Sequence, residues 1–258
     1  MRLTLSPVNV IKINLYSSKF DYSTMSIRSL FPFEKWDFKS ESIMAGLPEE
    51  DYALLTMHQT EHLYGKGEII FREGGFPTGI FFIKEGKVKK YKADKDGREQ
   101  IIYVANTGEL IGYHAILAQD HYPDSAAALE NSIIIFIPKE DFMEAMKLSE
   151  VLSKRLLKTL SHEFSVLANS LSLFTQKSVK ERLAIQLIIL REKYKVDFKP
   201  GMHVEINMSR KDLANLVGTA RENVVRLLTE LKQAGILETT GSKITILEVE
   251  KLLLIANS

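Results

Sequence analysis

The stretch SRKDLANLVGTARENVVRLLTELKQAGI, residues 209–236, holds two helical periods separated by a glycine. Ser209 is placed to cap the first helix, with Asp212 three positions on. Leu213, Leu216 and Val217 form its apolar edge, and Ala214 is small enough for a second helix to cross closely. Gly218 stands where the chain needs a left-handed residue, and Thr219 is placed to cap the second helix. At about 100° per residue, Val224, Leu227, Leu228 and Leu231 share one arc of that helix. Arg221, Glu222, Val225, Arg226 and Thr229 occupy the opposite arc.

Two bland readings cover Glu222 alone. It can complete a capping box with Thr219, or pair with Arg226 at i, i+4 for about 0.2–0.5 kcal/mol. Neither accounts for Arg221 near the positive end of the helix dipole, nor for Val225 on the polar arc. Reading of base edges accounts for all four. Arginines grip guanine N7 and O6, a carboxylate accepts from cytosine N4, and a valine methyl meets thymine. A helix-turn-helix has this plan, with the N-terminal part of the second helix in the major groove. The turn Thr239-Thr240-Gly241-Ser242 then shapes a wing, with Lys243 placed to meet phosphate.

Upstream, Ser178 caps a further helix with Glu181 completing its box. Before it a long helical period runs from about residue 149 to 174. Its apolar positions Leu156, Leu160, Phe164, Leu167, Leu171 and Phe174 step by three or four. A rod of this length needs a cover for its stripe, most simply the same helix of a second copy; packing on its own β domain is the alternative. Between Gly65 and Pro138 the texture is β-rich. The runs EIIF, GIFFIKEG, KVKKYKA, EQIIYVA and SIIIFIP are separated by turn signals such as Asp96-Gly97. KVKKYKA does not alternate strictly. Several short strands at this spacing predict an all-β sandwich or barrel.

A chain of 258 residues holds about two domains, and 45% hydrophobic with 26% charged residues is ordinary globular composition. The net charge of +1 is compatible with a local basic face. With no cysteine, disulfides, thiolate catalysis, cysteine-ligated zinc and cysteine-held iron–sulfur clusters are excluded. No apolar stretch is long enough to span a bilayer, and the N-terminus lacks a secretory h-region, so no membrane is expected and the cytoplasm is the default. The first forty residues carry no clear period and fit nothing downstream; Met25 is an alternative start.

The β-run with its glycines, the long helix and the winged helix-turn-helix, in this order, resemble the Crp/Fnr family of bacterial transcription regulators. The resemblance covers nearly everything after Gly46. It implies an α+β fold: a cyclic-nucleotide-binding-like jelly-roll (double-stranded β-helix), a long dimerisation helix and a C-terminal winged helix-turn-helix. The expected boundaries are 1–40 for an N-terminal extension, 41–148 for the β-roll, 149–177 for the dimerisation helix and 178–258 for the DNA-binding domain. TARENVVR resembles the Arg-Glu-x-x-x-Arg recognition helix of the cyclic-AMP-responsive members. That implies that Arg221, Glu222 and Arg226 read a TGTGA-like half-site of double-stranded DNA, and it implies a homodimer and RNA polymerase as partners.

The effector pocket departs from the cyclic-AMP binders. Where their cassette resembles Gly-Glu-Leu followed by Arg-Ser-Ala, this chain has Gly112-Tyr113-His114 and Asp124-Ser125-Ala126. An anion thus replaces a cation where a phosphodiester would sit, worth several kcal/mol against binding. The positions facing the base fall near Leu167 and Ala168, both apolar. The expectation is a degenerate pocket, with no cyclic AMP, no metal and no cofactor. Of six histidines only His58 and His62 are spaced i, i+4, in what reads as a polar helical stretch; His114 is the best single haem candidate. Two rivals from other classes are a cyclic-nucleotide-binding signalling module and a small-molecule enzyme in a β-barrel. No Ser/His/Asp set or paired carboxylates recommend the enzyme.

Overall fold

The computed structural model describes residues 31–32, 35–37, 43–195 and 203–257. Helix α1 (Glu49–Leu55) opens after Pro48 with three acids in its first turn, which favour the positive end of its dipole. There follow β1 (Thr60–Tyr64), β2 (Ile69–Phe71), β3 (Gly79–Glu85), β4 (Lys87–Ala93), β5 (Glu99–Asn106) and β6 (Leu110–Ile111). Then come α2 (Tyr113–Ala118), β7 (Ser125–Ala128), β8 (Ser132–Pro138) and α3 (Lys139–Leu148). The strands form two antiparallel four-stranded sheets, β1-β8-β3-β6 and β2-β7-β4-β5. Ile83 and Ile134 of the first share a buried cluster with Val88 and Ala126 of the second, so the two sheets close on one core.

The irregular alternation of KVKKYKA has a physical cause. The register of β4 against β5 shifts between Lys90 and Tyr91, a bulge that lets Val88 and Tyr91 both turn inward. Its lysines are held by acids on neighbouring elements: Lys87 by Glu130 at 3.1 Å, Lys89 by Glu99 at 2.5 Å and Lys90 by Asp124 at 3.0 Å. The expected polar helix around His58 and His62 is not formed. His58 follows α1 and its ring meets Asp141 on α3, whereas His62 lies on β1 with its Nε2 on Thr60. The i, i+4 pair therefore does not converge on a common point. Among the described residues no group of three or more His, Asp or Glu is arranged to hold a metal.

Helix α4 (Glu150–Gln176) has 27 residues, about 40 Å at 1.5 Å per residue. Ser149 caps it by accepting from the Leu152 amide. It is followed by α5 (Val179–Lys193), β9 (Glu205–Asn207), α6 (Arg210–Val217), α7 (Arg221–Gln233), β10 (Leu237–Thr240), β11 (Lys243–Ile246) and α8 (Val249–Ala256). The capping box at α5 forms in full. Lys177 and the Ser178 donors hold the Glu181 carboxyl down at about 2. Strands β9, β10 and β11 make the wing sheet. Helix α8, whose Leu252 and Leu253 are buried beside α5, lies outside the sequence pattern.

One expectation is corrected here. The stripe on α4 splits in two. Leu152, Leu156, Thr159, Glu163, Val166 and Leu173 are buried within the chain, and Leu160 packs half-buried on the same core. Leu157, Phe164 and Leu171 are exposed by 67%, 74% and 71%, with Leu167 and Phe174 beside them. Leu156 thus leaves the exposed stripe and Leu157 replaces it, because the helix rests one edge on its own β-roll. Residues 1–30, Met25 among them, lie outside the described residues, but Phe31 is buried and Trp36 packs on the core. His162 on α4 donates to the Asp37 carbonyl. No helix among the described residues is long and apolar enough to cross a membrane.

Candidate nucleic-acid interface and effector cavity

Helix α6 is capped by Ser209, which accepts from the Asp212 amide at 3.0 Å. It ends on Gly218 at φ 72°. A Cβ there would come within 2.6 Å of the Phe174 ring, so both the turn and the close approach require glycine. Phe174, expected on the shared stripe, also covers this turn, with the Arg182 guanidinium 5.5 Å from its ring centroid.

Helix α7 divides as its sequence predicts. Val224, Leu227, Leu228 and Leu231 are buried, while Arg221, Glu222, Val225 and Arg226 are exposed. Its start differs. The N-cap is Ala220, without a side-chain cap bond, and Thr219 accepts instead from the Asn223 amide group at 3.0 Å. The helix begins one residue later than the Thr219 cap requires, which moves Glu222 out of capping position. Arg226 does not pair with Glu222 either; it reaches down one turn to Glu230 at 2.5 Å. Both bland readings of Glu222 therefore fail. Lys243 lies on β11, where Glu205 holds it at 2.8 Å. The start of α7 also faces Arg98, Glu99 and Gln100 of the β4–β5 hairpin across a groove of about 450 Å³. Lys89 anchors this face by reaching Asp212 on α6 at 3.0 Å.

A second cavity, of about 240 Å³, opens between the β-roll and α4. Of the residues expected there, Tyr113, His114, Asp124 and Leu167 line it. Gly112 and Ser125 do not. Gly112 takes φ 86° where Phe81 and Tyr122 would crowd a Cβ, and Ser125 accepts from the Glu73 amide. Glu163, absent from the sequence expectation, is the centre of the polar wall. Tyr113 donates to its Oε1 at 2.5 Å and His114 Nε2 to its Oε2 at 2.6 Å. Burial, Glu163 and Glu109 push the Tyr113 phenol far up, so it remains a donor. His114 is oriented by its Nε2 bond to Glu163.

The cation missing from position 124 is also supplied from elsewhere. Lys90, two strands' width from the cassette in sequence but adjacent in space, pairs with Asp124. Its only signal was a lysine-rich strand among apolar neighbours.

Residues 61–149 match the cyclic nucleotide-binding domain and residues 181–255 the Crp-like helix-turn-helix domain. The transcriptional activator protein FnrA of Stutzerimonas stutzeri is 30% identical over 183 residues, 71% of this chain and 75% of that protein. The chain belongs to the Crp/Fnr family of transcription regulators. Electron transport regulator A of Shewanella oneidensis is likewise 30% identical, over 75% of this chain and 77% of its own. FixK2 of Bradyrhizobium japonicum superposes with a TM-score of 0.67 at 22% identity, covering 76% of this chain and 96% of that one, a likeness of fold. As a Crp/Fnr regulator the protein binds DNA through its helix-turn-helix and is not an enzyme. In this regulator α7 is the helix that presents arginines and a carboxylate outward, and the cyclic-nucleotide-type domain contributes the 240 Å³ cavity.

Proposed function

We infer that this regulator acts as a cytoplasmic homodimer that reads two-fold palindromic DNA, with Arg221, Glu222, Val225 and Arg226 on base edges. Ser209, Thr219 and Lys243 serve the sugar-phosphate backbone. The observation that carries this is the division of α7, whose polar arc is exposed and has neither of the local roles that would explain Glu222. The exposed stripe on α4 supports the dimer. Contact with RNA polymerase follows if the protein activates, as the name of the FnrA relative states for that protein. Arg226→Ala is expected to cost about 1–3 kcal/mol of discrimination at a guanine. Lys243→Ala should weaken binding to every duplex alike and flatten the salt slope by about one ion. Fluorescence anisotropy over a salt series separates the two; an Arg226→Ala loss equal on all sequences would remove that residue from base reading.

The cavity of the β-roll is the effector site, and its effector is not cyclic AMP. The Lys90 charge that a phosphodiester needs is already offset by Asp124. Displacing Asp124 would leave a buried carboxylate without a counter-charge. Calorimetry with cyclic AMP and cyclic GMP is expected to show no binding below the millimolar range, and micromolar binding by either would overturn this reading.

A further inference from the structure

Resting on the reading of the β-roll cavity as the effector site, we propose that its ligand is a small, mostly apolar molecule carrying one ammonium group, seated against the Glu163 carboxylate. At about 240 Å³ the cavity falls below the 300–1,000 Å³ usual for drug-sized ligands. Ile102, Leu110, Ile111 and Leu167 supply its apolar wall. The polar wall is asymmetric in what it still offers. Its donors are engaged by the chain's own acids: Tyr113 and His114 give their protons to Glu163, and Lys90 is neutralised by Asp124. Lys92, at the rim, is half-exposed and held by Glu73 at 2.8 Å.

Among the described residues, each lysine an entering anion would meet, Lys90 and Lys92, already has an acid beside it. An entering ammonium breaks nothing, because each carboxylate oxygen accepts more than one hydrogen bond. Glu163 is buried, and both contacts that meet its carboxylate come from donors, the Tyr113 phenol and the His114 ring. An ammonium adds a charge-assisted hydrogen bond to those two. Glu163 and Leu167 both belong to α4, so the ligand would bear on the helix that carries the exposed stripe and continues toward α5.

The test uses the full chain and three probes of one size at neutral pH: phenethylamine, phenethyl alcohol and phenylacetate, titrated by calorimetry. Phenethylamine is expected to bind on the order of tenfold more tightly than the alcohol. Phenylacetate should bind more weakly than both. Glu163→Gln should remove the amine's advantage and leave the alcohol's affinity in place. Should that chain not fold, His114→Ala removes a donor competing for the same carboxylate and should tighten amine binding. Binding by none of the three, equal binding, preference for phenylacetate, an amine advantage that survives Glu163→Gln, or weaker amine binding by His114→Ala each overturns the proposal. Duplex binding is measured on the same preparation without probe. Its failure would overturn the DNA reading and leave the ranking of probes as it stands.

Discussion

A chain carrying glutamate at both Phe164 and Leu171 is expected to sediment as a monomer where the parent sediments as a dimer, with an unchanged circular dichroism spectrum. Leu157, Phe164 and Leu171 recur every seven residues along α4, and Leu160, Leu167 and Phe174 follow each by three. That spacing averages about 3.5 residues, the period of a two-stranded left-handed seam. Phe164 and Leu171 project from the protomer, so charges there leave its own core untouched. In a dimer they would be buried without partners, a cost of several kcal/mol. Leu160 is a poorer choice, since it packs half-buried on its own β-roll and its loss would confound assembly with folding. Affinity for a palindrome should fall by roughly 10²-fold or more once the two reading heads are unlinked. A dimer that survives both substitutions places the interface elsewhere.

Lys193→Met is expected to cost about 3–5 kcal/mol of stability, the usual loss when one partner of a buried ion pair is removed. Lys193, at the end of α5, is buried between Glu109 at 3.3 Å and Asp37 at 2.8 Å, and donates to the Tyr103 hydroxyl at 3.0 Å. Tyr103 in turn donates to Glu109. Removing the ammonium leaves two carboxylates facing each other across the contact between α5, the β-roll and the N-terminal stretch. Adding Asp37→Asn and Glu109→Gln to Lys193→Met should restore most of the loss, because the repelling charges then go too. Urea denaturation of the single and triple variants decides this; equal losses in both would mean that the charges do not matter. Burial lowers the Lys193 pKa, and the Glu109 and Asp37 carboxylates more than offset it, so the net shift is upward. A raised cation pKa contributes stability in full below the unfolded value of 10.5 and loses it as pH climbs through the folded value. Wild type should therefore lose stability above about pH 10.5 more steeply than Lys193→Met.

How much was legible in the sequence follows from which forces are local. The caps at Ser178 and Ser209, the left-handed Gly218 and the two arcs of α7 depend on residues within a turn or two of one another, and all appear in place. The start of α7 lies one residue later than expected, with the Thr219 hydroxyl accepting from the Asn223 side chain and not from a backbone amide. Glu163 and Lys90 could not be placed on the cavity from spacing alone. Their partners Tyr113, His114 and Asp124 lie dozens of residues away, and only the pairing of β4 with β7 and the lie of α4 bring them together. The stripe on α4 was visible, but its division between own core and open face depends on where the β-roll sits.

The most direct test of the central claim is selection from random duplexes by the full-length protein. Wild type is expected to enrich a two-fold palindrome with half-site centres about 34–36 Å apart, the spacing at which a symmetric dimer lays two recognition helices on one face of the duplex. Glu222→Gln should relax preference at one base pair of each half-site and Arg226→Ala at another. Enrichment of no palindrome by wild type, or of unchanged bases by both variants, would mean that the outward arc of α7 is a solvated face and not a reading head.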